Sequence, residues 1–120
     1  MQFEPNSPIW LQVMKAIETD IAAGRISPGE KLPGGRELAL SYSINPNTAA
    51  RVYQELEKAG LCGTRRGMGT FVTEDRQRIL ELREEIIQEA ISQFLQRMET
   101  LGVSSPEAAE MVRKEAADNA

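Results

Sequence analysis

The chain has no histidine and only one cysteine in 120 residues. Without imidazole it lacks the commonest general base and the commonest metal ligand, which excludes a Ser-His-Asp triad and leaves little to build a zinc site from. The single cysteine, Cys62, excludes an internal disulfide framework. No apolar run reaches the roughly 18 residues that a membrane-crossing helix needs. The N-terminal MQFEPNSPIW has neither the basic nor the apolar region of a secretion signal. These absences lead to the expectation of a soluble cytoplasmic protein that is not an enzyme, holds no metal or cofactor and has no membrane partner.

Positive charge is also scarce. Lys and Arg number 14 against 18 Asp and Glu, for a formal charge of −4, which argues against a chain that coats nucleic acid or membrane by bulk charge. The average hides an asymmetry, because between Lys31 and Thr70 six basic residues (Lys31, Arg36, Arg51, Lys58, Arg65, Arg66) face three acidic ones (Glu37, Glu55, Glu57). The middle is locally basic and the tail acidic. With 41% apolar residues, the length suits one modest core, or a small domain with an appended helical piece.

Several segments carry their own boundaries. Ser7 can cap a helix with Pro8 at its first position, and Trp10, Val13, Met14, Ile17 and Ile21 then recur at helical spacing as far as Gly24. Trp10 and Met14 lie in that stripe and read as core. Pro28-Gly29 fits a type II turn, followed by a short strand near Lys31-Leu32. A short helix is expected from about Gly35 to Tyr42, with Leu38, Ala39 and Tyr42 inward. In INPNTAARVYQELEKAGL, Asn45 can cap, Pro46 takes the first helical position, Ala49, Val52, Tyr53 and Leu56 form the apolar face, and Gly60 ends the helix. Two short helices joined by a tight turn make a helix-turn-helix. Strands at 61–64 and 70–73 then flank a hairpin tip in which Gly67 and Gly69 supply positive φ. Cys62, at the start of a strand, reads as a small buried apolar residue rather than a thiol switch.

TRRGMGTFV matches neither a phosphate-binding P-loop nor a dinucleotide fingerprint, since it lacks the Gly-Lys-Ser/Thr ending of one and the third glycine of the other. As a hairpin tip it offers a turn free of side chains and two forked cationic groups for phosphate or a groove edge; the plainer alternative is a solvated turn. The helix-turn-helix just before it favours DNA. Residues at the start of the second helix of such a unit face base edges, and here those are Asn45, Asn47 and Thr48, with Arg51 one turn later. Asn45 is left open between capping and base contact.

KLPGGRELA, INPNTAARVYQELEKAGL and TRRGMGTFV, in this order, resemble the winged helix-turn-helix of the GntR family of bacterial transcription regulators; the NPNT turn and short helical tail resemble its YtrA-like subfamily. The resemblance covers roughly residues 8 to 73. It implies that Arg36 reaches the major groove, that Asn47, Thr48 and Arg51 sit on the recognition helix, and that Arg66 and Gly67 form a wing tip in the minor groove. Gly69 completes the tip, and Arg65 is expected at phosphate or in solvent. Two departures stand out. Gly34-Gly35 replaces a serine or larger residue, so the second helix is expected to lack a side-chain cap. Pro46 and Ala50 stand where many relatives outside the YtrA-like group carry a basic residue, so fewer charged contacts are expected from that helix.

Beyond the wing a long helix is expected from about Glu74 to Leu101, and Ser105-Pro106 starts another. Leu80, Ile87, Phe94 and Leu101 recur every seven residues, with Ile91, Leu95 and Met98 beside them and Met111 and Val112 on the last helix. Larger relatives carry a sensing domain in this place, whereas the segment 74–120 is too short to enclose a sizeable ligand pocket by itself. Its apolar residues read as a homodimer surface. The expectation is therefore a mainly α fold with a small β-hairpin: a winged helix-turn-helix domain (1–73) followed by a two-helix dimerisation tail (74–120). The expected function is a repressor that binds a palindromic operator in double-stranded DNA as a homodimer. Two other readings remain, a winged-helix protein-interaction module and a sensor for a small-molecule effector that no residue cluster identifies.

Overall fold

The computed structural model describes residues 1–119. Its elements are α1 (Ile9–Ala22), α2 (Gly35–Tyr42), α3 (Pro46–Lys58), β1 (Cys62–Arg65), β2 (Gly69–Val72), α4 (Arg76–Thr100) and α5 (Ser105–Asp118). This is a winged helix-turn-helix with a helical C-terminal part, the expected architecture. No helix among the described residues is long and apolar enough to cross a membrane.

The chain divides into two compact units, one spanning Met1–Arg83 and the other starting at Glu84. In the first, α3 packs against α1, α2 and β1. Its core holds most of what the helical periodicities single out, namely Val13, Ile17 and Ile21 from α1, Leu38 and Ala39 from α2, and Ala49, Val52 and Leu56 from α3, whereas Trp10, Met14, Tyr42 and Tyr53 of the same stripes are only half-buried. Leu32, Leu61, Cys62, Val72 and Leu82 are buried with them in the same unit. The unit continues past the wing into the first turns of α4. Thr73 accepts from the Asp75 amide at 3.1 Å, Asp75 caps α4 by accepting from Gln77 and Arg78, and Arg78 Nε donates to the Ala59 carbonyl at 2.9 Å.

The start of α1 departs from expectation. Pro8, not Ser7, is the N-cap, and no side chain caps this helix. Gln12 does related work from inside the helix: its Nε2 donates to the carbonyls of Glu4 and Ser7, and its Oε1 accepts from the Glu4 amide. At α2 the expectation holds, since Gly34 occupies the N-cap without a side-chain hydrogen bond. This helix ends at Ser43, which adopts a left-handed conformation (φ 54°) and lets Ile44 N donate to Ala39 O at 2.9 Å.

β1 and β2 pair antiparallel, with Cys62 opposite Val72 and Arg65 opposite Gly69. Both strands come one residue closer to the tip than expected, because Met68 N donates to Arg65 O at 2.9 Å and closes a turn over Arg66-Gly67, with Gly67 at φ 76°. Only residues 66–68 remain as loop. The Pro28-Gly29 turn is closed by Glu30 N to Ser27 O at 3.1 Å. It delivers Lys31 to a bridge with Phe71, with Leu32 N donating to Thr70 O and Val72 N to Glu30 O, so a third extended segment stiffens the wing.

In the second unit, α5 starts at a capped turn where Ser104 Oγ accepts from Glu107 N at 3.3 Å. Ala108 is fully buried, and Ile86, Leu95, Met98 and Val103 are half-buried. Ile87, Ile91, Phe94, Leu101, Met111 and Val112 nevertheless expose 37–70% of their surface. Leu80, in the first unit, is also exposed.

Candidate nucleic-acid interface

The start of α3 combines a side-chain cap with a proline and an exposed asparagine. Asn45 Oδ1 accepts from Asn47 N at 2.8 Å, so the Asn45 side chain is occupied by capping. Pro46 follows at the first helical position, and no acidic residue stands in the first turn. The positive end of the helix dipole is therefore uncompensated by a nearby carboxylate, which favours a phosphate. The Asn47 side chain is exposed and Thr48 half-buried. Arg51 lies four residues beyond Asn47, hence on the same side of the helix.

Tyr53 sets the opposite side of α3. Its hydroxyl donates to the Pro33 carbonyl and ties the helix to the loop that leads into α2. Burial pushes this phenol up to about 12, with Cys62 and nearby acidic groups adding to the shift. The anchored loop holds the start of α2, where Arg36 is exposed and has no ion pair, hydrogen bond or ring partner among the described residues. Arg36 and Pro46 line one open groove with Leu40 and Ile44, so the starts of α2 and α3 are neighbours. A second cleft joins Pro33, Gly34 and Gly35 to Met68, Gly69 and Thr70 of the wing. Of the candidate residues, Arg36 lines the first of these clefts and Gly69 the second.

Within the wing the two arginines differ. The Arg65 guanidinium lies over the Phe71 ring, 4.2 Å from its centroid, folded back along the strands. Arg66, beside Gly67 at the tip, is exposed and has no such partner among the described residues. Gly69 has a steric role as well as a conformational one: at φ 120°, a Cβ there would fall 2.8 Å from Lys31 Cε. The aliphatic chain of Lys31 runs across the bare backbone of the wing and brings a further cation beside it. Nothing in its sequence neighbourhood marked Lys31 for the wing, since the bridge to Phe71 joins residues forty apart.

Trp10 corrects an expectation. It is half-buried rather than core, and the Arg51 guanidinium sits over its ring at 4.4 Å from the centroid. The stripe spacing places Trp10 on the inner side of α1 but does not reveal that its partner is a cation on α3. Glu55 lies 4.0 Å from Arg51 Nε on the following turn. Cys62 is buried as expected, and burial pushes its thiol up to about 11, with Glu57 adding to the shift. That is the opposite of an activated thiolate.

A helix-turn-helix whose second helix opens on a polar capped turn, with a cationic two-stranded wing behind it, defines the winged helix-turn-helix class of DNA-binding proteins. Residues 10–72 match the gntR family of bacterial regulatory proteins, and the chain belongs to that family of DNA-binding transcriptional regulators. It is 33% identical over 121 residues to the HTH-type transcriptional repressor YtrA of Bacillus subtilis (strain 168), covering 98% of this chain and 93% of the relative. Among solved structures it resembles a GntR family transcriptional regulator from Listeria monocytogenes, with a TM-score of 0.86 and 36% identity over 93% of this chain and 98% of that one. It also resembles AraR(DBD) in complex with operator ORX1, with a TM-score of 0.56 and 30% identity over 61% of this chain and 93% of that one.

Proposed function

We propose that the chain is a homodimeric repressor that binds a palindromic operator in double-stranded DNA and blocks transcription by occupying it. Arg36, Asn47, Thr48 and Arg51 face the major groove. Arg66 and Gly67 enter the minor groove at the wing tip, Gly69 lets the tip turn tightly, and Arg65 and Lys31 meet phosphates. Asn45 serves the site by presenting the start of α3 rather than by reading a base. The observation that carries this reading is the start of α3, capped by Asn45 and free of acidic residues in its first turn, in a fold that also leaves Arg36 on α2 and Arg66 at the wing tip exposed and unpartnered among the described residues.

The dimeric part of the proposal rests on the apolar residues left open on α4 and α5. Leu80, Ile87, Ile91, Phe94, Leu101, Met111 and Val112 are exposed, and Leu95 and Met98 are half-covered. A run of this kind marks an association surface, and a second copy is the simplest partner because a two-fold interface uses one patch twice. Pairing through the tail (74–120) gives the dimer two reading domains (1–73), matching the symmetry of a palindrome. A gel shift at fixed salt with DNA upstream of the chain's own coding sequence tests the reading. A sequence-dependent shift that Arg36→Ala weakens supports it, and the absence of sequence dependence points to a protein-interaction module instead.

A further inference from the structure

We propose that Trp10 is a positioning residue for DNA contact: its indole face holds the Arg51 guanidinium in place before DNA arrives. The inference rests on the reading of Arg51 as a DNA contact. The guanidinium carbon lies 4.4 Å from the ring centroid, well inside the range of about 6 Å over which the ring quadrupole attracts a cation. Glu55 approaches the same guanidinium from the next turn of α3 at 4.0 Å. An aromatic face and a carboxylate together orient the planar group, where an exposed ion pair by itself would hold it weakly.

The backbone makes this geometry reproducible. Trp10 is in the first turn of α1, three residues before Val13, which is fully buried as α1 packs against α3. Helix packing therefore sets the position of the ring. Arg51 and Asn47 share a side of α3, so a guanidinium held by Trp10 is held on the side that carries the polar contacts. Arg36 and Arg66 have no ring, hydrogen bond or ion pair of this kind among the described residues and must lose side-chain freedom when they bind. Arg51 arrives partly ordered.

A double-mutant cycle on operator DNA tests the proposal, with circular dichroism used to choose a temperature at which every variant is folded. Trp10→Leu is expected to weaken binding by about two- to fivefold, the size of an exposed cation–ring contact, and to relax preference at the base pair nearest Arg51. Trp10→Phe, which keeps a ring face, should recover most of the loss. In an Arg51→Ala background Trp10→Leu should have no further effect. If Trp10→Leu leaves little folded protein, Trp10→Met, which retains volume and helix preference, takes its place in the cycle. Parental binding by the ring-less variant, or an equal loss with and without Arg51, overturns the positioning role. Parental binding by Arg51→Ala instead overturns the underlying assignment of Arg51.

Discussion

Replacing Phe94 by alanine should weaken the proposed dimer without harming the DNA-reading unit. Phe94 lies in the row Leu80, Ile87, Phe94 and Leu101 and leaves 40% of its surface open. Burying a whole phenylalanine side chain is worth about 1.5–3 kcal/mol, so covering the open part contributes about 0.6–1.2 kcal/mol per protomer. A two-fold interface carries the substitution twice, which makes the loss about 1.2–2.4 kcal/mol, or roughly seven- to fiftyfold in the dimer dissociation constant. Sedimentation velocity over a concentration series reads this directly. Gln93→Ala, one residue away and off the row, is the control and should dissociate like the parent. A parent that is monomeric at concentrations where it binds DNA, or a Phe94→Ala variant that dissociates no more readily than the parent, rules this interface out.

Other perturbations separate the remaining contributions. Tyr53→Phe removes the hydroxyl that donates to Pro33 and should lower the free energy of urea unfolding by about 1 kcal/mol. Gly69→Ala places a methyl group against Lys31 at a φ of 120°; it should weaken DNA binding while leaving the helical circular dichroism signal unchanged. Arg36→Ala should cost about 1–3 kcal/mol of operator affinity and relax preference at one base pair, whereas Lys31→Ala should weaken binding to all sequences and lower the salt slope by about 1. The shifts of Cys62 and Tyr53 make stability fall at alkaline pH. Each holds its proton more tightly folded than unfolded, so the thiol's contribution is present below its ordinary value of 9.0 and lost as pH rises through about 11, and the phenol's is present below 10.0 and lost through about 12. Urea midpoints measured on either side of that window check the sign.

The fold was legible wherever one residue type has one backbone use. Asn45-Pro46 opens α3, Pro28-Gly29 turns the chain, and Gly24, Gly60 and Gly102 all take positive φ where helices were expected to stop. Buried faces followed the helical period for the same reason: Val13, Ile17 and Ile21, and Ala49, Val52 and Leu56, recur at the spacing one side of a helix allows. What escaped depended on partners distant in the chain or on a choice between equivalent donors. The Lys31 bridge to Phe71 and the Arg51 stack on Trp10 are pairings across elements that local spacing does not encode. Capping by Ser7 was a reasonable local solution, but the Gln12 amide satisfies Glu4 and Ser7 together and leaves Pro8 at the N-cap. The wing strands shifted by one residue because the turn over Arg66-Gly67 closes more tightly than a five-residue tip. The candidate contacts themselves were readable as residue types, yet which arginines are held and which are unpartnered became visible only in the packing.

Footprinting of the chain on DNA upstream of its own coding sequence, in moderate salt and with excess random competitor, tests whether it binds a symmetric operator. Symmetric binding gives protection of two half-sites related by a two-fold axis about one helical turn apart, or a multiple of it, with protection reduced in both halves by Arg36→Ala. Uniform protection of any sequence, or a single half-site without a symmetric mate, would contradict it.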